Sequence, residues 1–145
     1  MTVQPAGIDI DSLAVGDVVV EKEYRFTRDA LVRYAGASGD FNPIHYRDDV
    51  AASVGLPGVL AHGMLTMGVA VQPVVEVVGD PGRVTDYQVR FTRPVVVDPE
   101  TGVDVTVSAK VGALLPEESS ARLDLTVTVD GATVLGKAQV RVHLG

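Results

Sequence analysis

Apolar and polar positions alternate differently in three stretches of this chain. Val18 to Phe26 reads as a strand. Thr27 stands at an N-cap position, with Asp29 in the first turn, ahead of a helix carrying Ala30, Leu31, Tyr34 and Ala35. Ser38-Gly39 ends that helix, and Asp48 to Val54 predicts one or two further turns stopped by Gly55. From Gly63 to about Val78 apolar residues occupy nearly every face of a helix, which predicts a buried one. Pro73 predicts a kink or break within it. From Arg83 the period becomes two: Val84, Asp86, Gln88, Arg90 and Thr92 alternate with Thr85, Tyr87, Val89 and Phe91. Val103 to Val111, Ala121 to Val129 and Thr133 to Leu144 repeat that alternation. Asp130-Gly131 reads as a hairpin turn, and the run from Pro116 to Ser120 as the loop before it. Residues 1–12, with Pro5 and Gly7, hold no sustained pattern and predict a short mobile lead-in. A strand, helices, then several antiparallel strands describe an α+β domain, its sheet curled around the apolar helix.

Composition narrows the class. At 145 residues the chain fits one domain, with 46% apolar and 21% charged residues. A net charge of −7 without a basic stripe argues against nucleic acid as a partner. The longest apolar region, from Met64 to Val78, is interrupted by Gly68, Gln72, Pro73 and Glu76, which argues against a membrane span. No cysteine is present, which removes disulfides, thiolate metal sites and a cysteine nucleophile together. The N-terminus shows no secretory pattern, so a cytoplasmic protein is the expectation.

The chemistry concentrates between Tyr34 and His45, where Ser38-Gly39-Asp40-Phe41-Asn42-Pro43-Ile44-His45 follows the first helix. Gly39 and Pro43 keep this stretch out of regular helix, and Asn42 before a proline is biased to extended or turn backbone. A carboxylate and an imidazole are thus held five residues apart on a stiff loop, an arrangement suited to proton transfer. At roughly 5% usage per residue type, six such positions in eight arise by chance on the order of once in ten million windows or rarer.

This window, with Tyr34 before it and the small residue Ala51 six positions beyond His45, resembles the MaoC-like (R)-specific enoyl-thioester hydratases and dehydratases, the hydratase 2 family. Ala37 departs from the pattern, where a larger aliphatic residue or glycine is usual; that is a packing change. Together with Ala61-His62-Gly63-Met64-Leu65-Thr66-Met67-Gly68 and Val78 to Gly82, the match is closest to the catalytic B subunit of the type II fatty-acid-synthase (3R)-hydroxyacyl-ACP dehydratase. The resemblance covers about residues 14–144. It implies a single hot-dog domain over residues 1–145, and reversible conversion of a trans-2-enoyl thioester to a (3R)-3-hydroxyacyl thioester. It implies no cofactor beyond the coenzyme A or acyl carrier protein that bears the substrate. Dimerisation is implied as well, with a second copy or with another hot-dog subunit.

In that family the residues matching Asp40 and His45 handle both protons, and which of them takes the α-proton stays open. Asn42 either orients that pair or simply forms the turn before Pro43. The family's oxyanion donor corresponds to the Gly63 backbone N–H, at the start of the apolar helix, where free amides and the positive dipole end meet; a plain helix-start glycine is the alternative. Ser38, Met64 and Leu65 are candidate substrate contacts, although Met and Leu on such a helix also serve as core. Arg83, Arg90 and Arg93 are candidates for the cationic patch that an anionic tether requires. His62 reads as a packing or hydrogen-bonding residue, His143 as structural, and no metal site is expected. A hot-dog thioesterase and a non-catalytic binding module remain as other readings.

Overall fold

The computed structural model describes residues 7–145. Five strands, β1 (Val18–Phe26), β2 (Val84–Phe91), β3 (Val103–Leu115), β4 (Ser120–Val129) and β5 (Ala132–His143), form one antiparallel sheet in the order β1-β3-β4-β5-β2. Between β1 and β2 run four helices: α1 (Arg28–Ser38), α2 (Asp48–Ser53), α3 (Gly63–Ala70) and α4 (Gln72–Val78). Val105, Val107, Ala109 and Val111 of β3 face inward beside Ala121, Leu123, Leu125 and Val127 of β4, all buried. They share one core with Ala70 of α3 and with Val74 and Val78 of α4. Period-two burial of Val and Leu is what a sheet with one covered face requires, at roughly 1.5–3 kcal/mol per buried side chain. Register shifts interrupt every strand pairing, for example between Val111 and Ala113 and between Gln88 and Arg90. Such bulges bend strands, and the sheet curls over the helices. This is the hot-dog architecture. Asp130 and Gly131 both have positive φ, 49° and 78°, as a two-residue hairpin turn demands.

In place of one long helix, the apolar stretch breaks where Pro73 predicts: α3 ends at Ala70, and α4 begins with Pro73 in its first turn. Proline has no N–H to offer Val69 and its ring crowds that carbonyl, so the ladder stops before it. Two carbonyls at the end of α3, freed from intrahelical bonding, are taken up by side chains: the Tyr87 hydroxyl donates to Met67 O at 2.6 Å, and Gln72 Nε2 to Gly68 O at 3.1 Å. Contrary to expectation, the helix is not buried all round. Thr66 and Ala70 face the sheet, whereas Met64 is 60% exposed, because the sheet covers only one side of α3.

The N-terminal expectation changes too. Residues 1–6 of the expected lead-in lie outside the described residues. Ile10–Ser12 form a 3-10 turn capped by the Asp9 side chain, and Ile8 and Leu13 pack against the core, so residues 8–13 are anchored. Thr27 occupies its cap position, but its hydroxyl engages the Asp29 carboxylate instead of a backbone amide.

Candidate active site

Gly39 closes α1 in the left-handed conformation, φ 77°, donating its N–H to Ala35 O. That conformation costs glycine nothing and strains other residues. Three side chains then fold the next segment stepwise. Ser38 Oγ accepts from the Asp40 N–H (3.1 Å), Asp40 Oδ1 from the Asn42 N–H (3.1 Å), and Asn42 Oδ1 from the Ile44 N–H (3.3 Å). Short oxygen-bearing side chains at alternate positions suit this series of tight turns. A 3-10 turn, Pro43–His45, completes the loop and directs the His45 ring inward.

His45 Nδ1 lies 2.7 Å from Leu60 O. A carbonyl only accepts, so Nδ1 carries the proton and Nε2 keeps its lone pair in the neutral ring. Nε2 is 3.9 Å from Asp40 Oδ2. That gap is too long for a direct hydrogen bond and suited to a small molecule that bonds to both. The fold therefore brings Asp40 and His45 together, with His45 buried and the Asp40 carboxylate half exposed.

The remaining candidates divide. Ser38 and Asn42 spend their side-chain oxygens on the loop, and Asn42 reaches Asp40 through its backbone N–H. Gly63 is the first residue of α3 and, with His45, lines a cavity of about 300 Å³. The N–H groups of a helix's first turn have no intrahelical acceptor and are available to a ligand. Met64 and Leu65 do not line this cavity; Met64 faces outward and Leu65 packs toward the core. Helical spacing explains it: the helix faces the cavity with Gly63 and Thr66, three residues apart, which turns the two between them away.

Much of the wall comes from Phe91 at the end of β2, from the segment that follows it to Val95, and from Val134 and Leu135 of β5. No local pattern marks these residues. They meet because β2 pairs with β5, placing Phe91 opposite Leu135. Of the three arginine candidates only Arg93 reaches the cavity, its Nη1 also donating to Thr133 O. Arg83 instead donates to the carbonyls of His143 and Gly145, and Arg90 is exposed on β2.

His62 is almost wholly buried at 1% exposure. Its ring stacks on that of His45, centroids 3.9 Å apart and planes 23° apart, with Tyr34 edge-on at 4.7 Å. Its Nε2–H donates to Asp40 O at 3.1 Å. Burial holds this imidazole below its ordinary value. Asp40, His45 and His62 present possible metal-binding atoms within 4.8 Å of one another. Yet nitrogen lone pairs lie in the ring planes, and two nearly parallel stacked rings do not converge on one ion at about 2.0–2.1 Å.

A curled sheet over a broken apolar helix, with an Asp/His loop beside a helix N-terminus, defines a hot-dog protein with a site for acid–base chemistry. The chain belongs to the MaoC-like family: the family model described as "MaoC like domain" matches residues 12–129. The chain is 34% identical to a 3-hydroxybutyryl-CoA dehydratase from Methylorubrum extorquens, covering 91% of this chain and 82% of the relative. It is 32% identical to an (R)-specific enoyl-CoA hydratase from Rhodospirillum rubrum, covering 75% and 74%. A solved structure of a MaoC-like dehydratase superposes with a TM-score of 0.92 at 37% identity, covering 98% of this chain. The chain spans 44% of that structure's chain, and 28% of a 3-hydroxyacyl-thioester dehydratase from Mycobacterium tuberculosis that it matches over 81 residues. Among the described residues no helix is long and apolar enough to cross a membrane.

Proposed function

We propose that this protein is a hydro-lyase interconverting trans-2-enoyl and (3R)-3-hydroxyacyl thioesters, with Asp40 and His45 as its catalytic pair. The observation that carries this reading is the 3.9 Å separation of Asp40 Oδ2 and His45 Nε2, beside a cavity lined by His45 and Gly63. In the hydration direction a water sits between the two side chains. Its oxygen bonds to C3 of the enoyl group as one of its protons passes to the pair. The C2–C3 π electrons move toward the thioester carbonyl, and a proton from the pair then completes C2. The carbonyl oxygen, negative during this passage, lies at the Gly63 N–H. General acid–base catalysis contributes roughly 10²–10⁴-fold, and a single oxyanion donor on the order of 10²–10³-fold.

The finer reading is dehydration within type II fatty-acid elongation, in the cytoplasm, without a cofactor other than the carrier on the substrate. The Tyr34–His45 and Ala61–Gly68 strings support it. Pairing with a second hot-dog subunit, identical or different, is supported by the outer edge of β2, unpaired among the described residues, and by exposed Phe41, Met64 and Phe91 near the site.

Purified chain given crotonyl-CoA tests the reaction. Loss of the enoyl chromophore with formation of the (3R)-hydroxy product supports the proposal. Release of free thiol with the chromophore intact selects a thioesterase instead. Activity without a partner favours a homodimer acting on coenzyme A thioesters; activity only with a second subunit or on acyl carrier protein favours the elongation role.

A further inference from the structure

We infer that His62 is a positioning residue, a single neutral ring that holds both members of the Asp40/His45 pair in register. This rests on the functional reading above. His62 touches the two residues in different ways. Its face lies on the face of His45 at 3.9 Å, which fixes the plane in which His45 Nε2 points. Its Nε2–H donates to the backbone carbonyl of Asp40 at 3.1 Å, which fixes the residue whose carboxylate must meet Nε2. No other side chain among the described residues is both stacked on His45 and hydrogen-bonded to Asp40.

The protonation of His62 follows from the same contacts. The carbonyl claims the Nε2 proton, so Nδ1 must be the bare nitrogen. Nδ1 is buried and finds no protein partner. A proton there would place an unpaired cation against the second imidazole, inside a shell that offers no acceptor. The ionisable groups around it are the His45 ring on its face, the Tyr34 edge, and the Asp40 carboxylate beyond the backbone bond, with Arg93 on the wall of the cavity that His45 also lines. A histidine that resists protonation is ill suited to catalyse and well fitted to hold its neighbours still. Its position immediately before Gly63 also joins the ring that touches the pair to the N-terminus of α3.

The test separates the hydrogen bond from the bulk of the ring. His62→Phe keeps an aromatic ring and loses the donor, whereas His62→Gln keeps a donor at similar reach and loses the ring. A misplacement of about 1 Å costs about 10²-fold in rate. His62→Phe is therefore expected to lower kcat by about that factor with KM unchanged, and His62→Gln to recover at least about tenfold of the loss. On an Asp40→Asn background, His62→Phe should cost almost nothing more, since the pair it serves is already broken. Full kcat in His62→Phe, a loss confined to KM, or an undiminished further loss on the Asp40→Asn background would overturn the inference.

Histidine 15N spectra of the wild-type protein give a check that needs neither turnover nor a variant that folds. They should show His62 neutral and protonated at Nε2 at neutral pH, with protonation on acidification setting in below the ordinary imidazole value. An imidazolium, or the opposite tautomer, would sink the inference while leaving the proposed reaction intact. A wild type that fails to hydrate enoyl thioesters sinks the reaction itself.

Discussion

The ring of Phe91 lies over the first residue of α3, so closely that a Cβ added to Gly63 would meet Phe91 Cε1 at 2.9 Å. Phe91 sits at the end of β2 and is 56% exposed, so its ring is free to swing aside. Gly63→Ala should therefore fold with little change in melting temperature. A methyl group at that position nevertheless stands in the approach to the Gly63 N–H. The expected result is a loss in kcat of about tenfold or more, up to the roughly 10²–10³-fold that a missing oxyanion donor costs. Adding Phe91→Ala should relieve the crowding without restoring the rate. Kinetics and melting curves of the two variants check this, and a wild-type kcat in Gly63→Ala would remove the N–H from the mechanism.

Tyr87 ties the same helix to the sheet. Its hydroxyl, donated to Met67 O, satisfies a carbonyl left over where α3 stops before Pro73. Burial pushes this phenol well above its ordinary value, so it remains a donor at every pH the fold tolerates. Tyr87→Phe keeps the packing and removes the bond. It is expected to cost about 1 kcal/mol in a urea titration, with an unchanged dependence on urea concentration. Because Gly63 and Phe91 belong to the two tied elements, a fall in kcat should accompany it.

The depressed value of His62 also makes stability depend on pH. In the unfolded chain this imidazole takes a proton near pH 6.5, whereas in the fold burial delays protonation to lower pH. Between those two values the unfolded chain binds more protons, so stability rises with pH across that window. Melting temperature should hold steady above about pH 6.5 and fall as pH drops below it. Carboxylates such as Asp98, held low by the N–H groups of Thr101 and Glu100, act in a separate window below the ordinary carboxylate value. In His62→Phe the decline just below about pH 6.5 should flatten while the more acidic one persists. An unchanged pH profile in that variant would show that His62 is not the group responsible.

Local chemistry made much of this molecule legible in the chain. Val18–Phe26 is a strand at the expected residues because its ends are marked, and Asp130-Gly131 makes its turn because both residues tolerate positive φ. The Asp40 loop could be read for a related reason, since Ser38, Asp40 and Asn42 each bond two residues ahead and need no distant partner. What escaped was set at long range. The α3–α4 break was expected from Pro73, but the outward face of Met64 depends on how far the sheet curls. The cavity wall of Phe91 to Val95 and Leu135 exists only once β2 has paired with β5. His62 reads from the sequence as a packing or hydrogen-bonding residue and is both, but only the fold shows that it stacks on His45 and bonds to Asp40.

The most direct measurement is the rate of enoyl-thioester hydration by Asp40→Asn and His45→Gln, each compared with wild type and each shown to be folded by its melting curve. Both substitutions are close in shape and remove the ability to exchange a proton. The expected result is a fall in kcat/KM of at least about 10²-fold in each. Turnover at the wild-type level in both variants would contradict the assignment of Asp40 and His45 as the groups that move the protons.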